Sequence, residues 1–283
     1  MTPVQMIQKA MDLHARSVTS RMRIPLGKSF YGRWFRDMRV EFNELSLDVR
    51  PDRIGKEGLS LVQLSDIHTG PYVEGPELGW VMDRVTAMEP DIIVLTGDYV
   101  NRDPAELYPC LDALSRLKAP GGVFAVLGNH DFWGDEDEVA AALEGIGIQV
   151  LRNRGVDIEI RGTRFHLAGV DDWKEKQSDL KLASRDRTDE CLSILLSHCP
   201  QIVNEAADEG YDLVLSGHTH GMQVRLPIFR QLASRFMHNR FDHGHSRHQN
   251  THLFISRGLG VVTLPWRYKC PPEVTRIRLK AAA

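Results

Sequence analysis

At 283 residues and 32.0 kDa, with 42% hydrophobic and 26% charged residues, the chain can bury a full core unaided, which excludes a disordered or disulfide-stapled class. The four cysteines, Cys110, Cys191, Cys199 and Cys270, stand far apart without a C-x-x-C pair and read as free thiols of a reducing compartment. The net charge of −3 conceals an asymmetry: residues 1–40 carry eight Lys/Arg against Asp12 and Asp37, a surplus of +6 that leaves −9 for the rest.

Along the chain, Val4, Ile7, Met11, Val18 and Met22 recur at roughly helical spacing and predict an amphipathic helix over 3–22. No continuous apolar stretch of the kind that secretion or membrane spanning requires occurs there or elsewhere. The expectation is a cytoplasmic protein, or one peripheral on the inner face of the membrane. From Ser29, "SFYGRWFRDMRV" interleaves aromatics with arginines. After the polar "RPDRIGKEG" a regular alternation begins: strand "LSLVQLSD", helix from Pro76, strand "DIIVLTGD", helix from Pro104, strand "GVFAVLGNHD", helix "DEDEVAAALEGIG". Next come a hairpin around Arg161-Gly162-Thr163, strand "LSILLSHCP", a helix from Gln201, strand "DLVLSGHTHG", and two last strands, "HLFISRGLG" and "PEVTRIRL". Short, continuously apolar strands imply an α/β fold with covered sheets: one mixed sheet, or two packed sheets with outer helices.

In such folds ligands bind beyond the carboxyl ends of the strands. Those ends supply Asp66 and His68, Asp98, then Asn129, His130 and Asp131, then His198, and finally His218 and His220. Asp66 and His68 are two residues apart, as are His218 and His220, so on an extended backbone each pair points to one side. Mixed nitrogen and oxygen donors favour Mn, Fe, Zn or Co over Mg or Ca. Even without His130 and Asp131, the seven others exceed the needs of one ion, so two ions sharing a bridging carboxylate is the economical arrangement. Each piece alone has a bland explanation as a turn dipeptide or a hydrogen-bonded histidine; the ordered set does not.

The series D-x-H, G-D, G-N-H-D, H, G-H-x-H, running from about Leu59 to Leu279, resembles the calcineurin-like metallophosphoesterase superfamily. The tail "GHTHGMQVRLPIF" with "SRGLGVVTLPWRYKCPPEVTRIRL" looks like its bacterial, membrane-associated branch. The resemblance implies a four-layer αββα sandwich of two mixed sheets with a dinuclear metal centre at one edge. By motif position, Asp66, His68, Asp98 and His220 would hold one ion, and Asp98, Asn129, His198 and His218 the other. His130 would contact the phosphoryl group and protonate the leaving oxygen. Two divalent ions, with Mn expected first and Fe or Zn next, would activate a hydroxide for in-line attack on phosphorus.

Three positions depart from the pattern. Asn101 stands where many relatives carry the Asp that orients the catalytic histidine, which leaves Asp131 as the nearest carboxylate to support His130. Met222 replaces a second glycine, and Cys199, after His198, is a soft ligand or a buried structural thiol. Asn129, His130, Arg257 and Arg267 are candidate substrate contacts.

The expected organisation is a basic amphipathic segment over 1–50 and a catalytic domain over 51–283. An Arg- and His-rich insertion near 227–251, bearing Phe229, Phe236 and Phe241, is either a lid or a solvated loop. Residues 1–40 could meet anionic membrane through Phe30, Tyr31, Trp34 and Phe35 with Lys28, Arg33, Arg36 and Arg39, or pack on the domain as a helix and edge strand. The expected substrate is a phosphodiester or pyrophosphate, first a lipid-linked one such as a UDP-diacylglucosamine. A nuclease, cyclic-nucleotide phosphodiesterase or phosphomonoesterase is the enzymatic alternative, and a non-catalytic scaffold the alternative of another class. Nucleic acid is disfavoured as a partner because the basic surplus is local and no recognition module accompanies it.

Overall fold

The computed structural model describes residues 40–282 apart from 71, 74, 226–241 and 264–266. The helix expected over 3–22, the aromatic and basic stretch before Val40 and most of the insertion lie outside the described residues.

Chain order builds one sheet and then the other. Strands β1 (Glu41–Val49), β2 (Leu59–Leu64), β3 (Ile92–Thr96), β4 (Val123–Val126) and β5 (Gln149–Val150) belong to the first. Strands β6 (Arg154–Ile160), β7 (Thr163–Gly169), β8 (Leu192–Leu196), β9 (Leu213–Ser216), β10 (Gly244–His248) and β11 (Thr251–Ile255) form the second. The last strand, β12 (Glu273–Ala281), returns to the first sheet and slots between β1 and β2. The orders are β1-β12-β2-β3-β4-β5 and β10-β11-β9-β8-β7-β6, six strands each. β1 runs parallel to β12 and β12 antiparallel to β2, so both sheets are mixed.

Period-two alternation on strands covered on both faces explains the continuous apolar runs. On β2, Leu59 and Leu61 face the layer between the sheets, where they meet Ile92, Val94, Leu192, Ile194, Leu213 and Leu215. Val62 and Leu64 face outward, onto Leu78, Val81, Met82 and Val85 of α1 (Gly75–Thr86). On the far side Leu195, Val214 and Leu253 pack against Ile202, Val203 and Ala206. Helix, sheet, sheet, helix is the expected four-layer sandwich, and the two sheets are pinned at one end by Gln63, whose amide donates to Thr96 Oγ1 and to Ser216 O, each at 2.9 Å.

Three elements differ from expectation. The helix from Pro104 is broken into 3-10 turns at Pro104–Glu106 and Tyr108–Cys110 before a single turn, α2 (Leu111–Leu114); Pro109 removes a donor inside the run. Residues 41–49, expected to belong to the basic segment, form edge strand β1 in register with β12, so the catalytic unit starts before residue 50. The C-terminal part of the expected insertion is β10, which pairs with β11. Four further α-helices occur among the described residues: α3 (Asn129–Trp133), α4 (Glu136–Gly145), α5 (Leu180–Ala183) and α6 (Val203–Asp208).

Candidate metal centre

The ligand-type residues lie two or four positions past the ends of β2, β3, β8 and β9, and at the first turn of α3 after β4. They are not on extended backbone. Asp66, His68, Asp98, His218 and His220 have φ of 48°, 47°, 59°, 70° and 51°. Left-handed backbone at such residues costs about 1–3 kcal/mol each and persists only where surrounding structure over-determines it. The same-side argument therefore loses its extended backbone, although Asp66 and His68 do converge on one group of donors. Each chain end curls back over its sheet edge, and His218 and His220 part company.

One donor atom from each of Asp66, His68, Asp98 and His220 lies within 4.8 Å of the others, and Asp98, His198 and His218 form a second such group. In the first, His68 Nε2 stands 3.0 Å from His220 Nε2, and His220 Nε2 stands 3.2 Å from Asp66 Oδ1. In the second, His198 Nε2 stands 3.2 Å from His218 Nδ1. Asp98 Oδ2 lies between them, 3.1 Å from His198 Nε2 and 3.5 Å from His68 Nε2. Imidazole nitrogens turned on one another at this range suit a cation placed between them better than a dry core. Asn129 Oδ1 is buried with no hydrogen-bond partner, an acceptor left over for the same purpose. The donor set fits divalent metal ions.

Electrostatics agree. Burial pushes the Asp66 carboxyl up to about 6 and the imidazoles of His68 and His218 down to about 3, so both rings are neutral and able to ligate. His198 goes the other way. Against its burial, the Asp98 carboxylate beside it, with Asp66 and Asp172 further off, raises it to about 10. Asp98 is held well below its ordinary value, burial notwithstanding, by His198, His130 and His68. His198 Nδ1 faces Thr96 O at 2.7 Å, which orients Nε2 toward Asp98.

His130 sits at the lip of this centre, its ring centroid 4.7 Å from that of His68, while its backbone N–H donates to Asp98 Oδ1 at 2.9 Å. Burial lowers its pKa, with Asp98 opposing. The partner of Nδ1 is the backbone carbonyl of Asn101 at 2.7 Å; the Asn101 amide points away and donates to Thr69 O. Nor does Asp131 support His130. Its carboxylate is buried and accepts the N–H groups of Asp98, Tyr99, Val100 and Gly128, so it fixes the β3 turn that carries Asp98. Asn101→Ala should consequently change turnover by less than about tenfold, since a backbone carbonyl survives the substitution. A larger loss in steady-state assays would show that the amide matters.

Arg257 and Arg267, expected as substrate contacts, are held by groups of the protein itself. Arg257 is engaged by Glu273 and Glu41, at 2.5 and 2.7 Å. Arg267 is buried, donates to the carbonyls of Gly260 and Arg257, and braces His220, whose Nδ1 is 3.4 Å from Arg267 Nη2. Cys199 is a buried thiol donating to Asp172 Oδ2 at 3.3 Å.

Sequence reasoning passed over Gly217. A Cβ there would land on Ser65 Oγ and Asp66 Oδ2, because the β9 turn crosses the β2 turn backbone to side chain. Its position between Ser216 and His218 was the available signal. Gly217→Ala should displace Asp66 and lower metal affinity about 10- to 100-fold, as removal of a ligand's support does. Unchanged affinity in a metal titration would mean that the turn yields freely.

A profile of the calcineurin-like phosphoesterase family matches residues 59–222. The uncharacterized metallophosphoesterase YkuE of Bacillus subtilis strain 168 is 31% identical over 255 residues, covering 89% of each chain. A second from the same strain, YkoQ, is 31% identical over 244 residues, covering 83% of this chain and 89% of its own. A Danio rerio protein named as a transmembrane protein with metallophosphoesterase domain is 31% identical over 254 residues, covering 84% of this chain and 56% of its own.

Proposed function

The chain belongs to the calcineurin-like phosphoesterase family and is a metal-dependent phosphoester hydrolase, and from that premise we propose that it works through two divalent ions sharing Asp98. Asp66, His68, Asp98 and His220 hold one ion; Asp98, Asn129, His198 and His218 hold the other. The observation that carries this is the placement of Asp98 Oδ2 between two groups of converging donor atoms. Manganese is the first expectation for a mixed imidazole, carboxylate and amide set, with iron or zinc as alternatives.

When bound, the ions supply Lewis acidity to phosphoryl oxygens and acidify water. The side chains do the rest. His198 is aimed by Thr96 O, and the buried carboxylates are kept from bulk water. Asn101 O holds His130 Nδ1, leaving Nε2 to deliver a proton to the leaving oxygen as its bond to phosphorus breaks. Asn129 and His130, adjacent at the first turn of α3, also contact the phosphoryl group.

The substrate is a phosphodiester or pyrophosphate, of the lipid-linked kind represented by a UDP-diacylglucosamine. The basic, aromatic composition of residues 1–40 supports such a partner and a peripheral contact with anionic membrane. Among the described residues no helix is long and apolar enough to cross a membrane. Salt-dependent sedimentation of the full chain with anionic vesicles tests the membrane contact, and no sedimentation at any salt concentration removes it.

Metal analysis after manganese reconstitution, followed by assay against phosphomonoesters, phosphodiesters and nucleoside diphosphate esters, tests the whole scheme. About two ions per chain and one active substrate class are expected. One ion or none would overturn the dinuclear assignment.

A further inference from the structure

The turn after β9 keeps left-handed backbone well past its two histidines. His218 has φ of 70°, and His220, Gly221, Met222 and Gln223 have 51°, 54°, 65° and 42°. Only Gly221 adopts such backbone freely; at the other four it is costly and persists only where the surroundings impose it. Met222, which replaces a glycine of the family pattern, is one of the four.

What imposes it is a closed ring of contacts. Thr219, between the two histidines and itself at φ −82°, accepts the Gly221 N–H at 3.2 Å and donates its hydroxyl to Asp242 O at 2.5 Å. The Asp242 carboxylate accepts from Arg225 Nη2 at 3.1 Å, and Arg225 Nε donates to Gly221 O at 2.9 Å, which closes the ring. The backbone N–H of Arg225 donates to Tyr268 O at 3.0 Å and anchors it. Cys270 Sγ also donates to His220 O and Gly221 O, at 3.2 Å each, so the turn has a second, separate brace. The Arg225 and Asp242 side chains are 27% and 40% exposed, so their ion pair by itself stabilises little. Its consequence is geometric, because it holds Asp242, whose carbonyl Thr219 needs, against the ligand turn.

His220 belongs to one group of donors and His218 to the other, so a displacement of the residue between them moves a donor of each. We propose that Thr219, Asp242 and Arg225 are positioning residues that hold both histidines at their ions, so that the affinity of the centre for metal is set in part by the two residues flanking 226–241. None of the three belongs to either group of donors. Their effect passes through the backbone of Thr219 and Gly221: without the ring, the strained residues relax toward negative φ and turn the two imidazoles out of their groups.

This rests on the dinuclear reading, and the test tells the two failures apart. The metal-free full chain is titrated with manganese, and bound metal and the thermal midpoint are followed. Thr219→Val, which keeps the shape and loses both hydroxyl contacts, should weaken binding of both ions by about 10- to 100-fold, as removal of a ligand's support does. Thr219→Ser, which keeps the hydroxyl, should stay within about threefold of the parent. Arg225→Met, made at a partly exposed side chain, should weaken binding about tenfold, and should add less than that to Thr219→Val because members of one ring are not independent. At limiting manganese the rise in midpoint on adding metal should shrink in Thr219→Val. An unchanged rise from a lower metal-free midpoint would make Thr219 a structural residue only and overturn the inference. Unchanged affinity in Thr219→Val, no recovery with Ser, or fully additive losses for the two substitutions would overturn it as well. A parent chain that binds fewer than two ions would overturn the dinuclear reading itself, and the inference with it.

Discussion

Asp98→Asn is expected to cost the protein its metal and its turnover together. The substitution keeps the shape of the side chain and removes its charge, at the one residue that belongs to both groups of donors. An amide oxygen can still face one side, but it cannot neutralise two cations, and the adjoining NH2 would point a donor at a ligand. Bound metal should fall to one ion or fewer, and turnover by at least about three orders of magnitude, since the metal contribution amounts to several kcal/mol. The fold should survive, because the turn at Asp98 is held through its own backbone N–H, which donates to the Asp131 carboxylate, and Asn keeps an oxygen for the His130 N–H. Elemental analysis and circular dichroism on the same sample decide it; a folded variant with full metal and activity would remove Asp98 from the bridging position.

His130→Ala should give the opposite pattern, both ions retained and turnover down by about two to four orders of magnitude, the range of a general acid. Its ring approaches the donor groups without joining either of them. The loss should be greatest for substrates whose leaving oxygen most needs a proton. Because burial keeps His130 below the ordinary histidine pKa, it is largely neutral at pH 7, and its value as a proton donor grows as pH falls. Loss of metal comparable to that in Asp98→Asn would make His130 a ligand instead.

The two kinds of information in the sequence were unequally legible. Continuous apolar runs such as "DIIVLTGD" announce strands buried on both faces, and the chemistry at their ends follows from residue type alone. The left-handed turns at Asp66, His68, Asp98, His218 and His220 do not show in residue type, since only glycine advertises that conformation. Edge strands were the weak point of the pattern. "EFNELSLDV" buries only Leu47 and Val49 fully, so β1 carries little of the signal that marks β2 or β3. Asn101 was read by its side chain and acts through its main chain. Residue type offers Arg257 and Arg267 as phosphate contacts but hides their partners, Glu273 and a set of carbonyl oxygens, which come together only when β12 returns to the first sheet.

The parallel pairing of β1 with β12 also fixes a heading. Glu41 is in register with Glu273 and shares Arg257 with it, and Gly258, next in the chain, packs on Asp66. The polypeptide therefore enters the sandwich on the rim that bears the catalytic groups, not at the opposite pole. Whatever takes hold of the first 39 residues grips the molecule like a leash clipped beside its mouth. If that holder is a lipid surface, it holds the molecule by the rim that bears the catalytic groups.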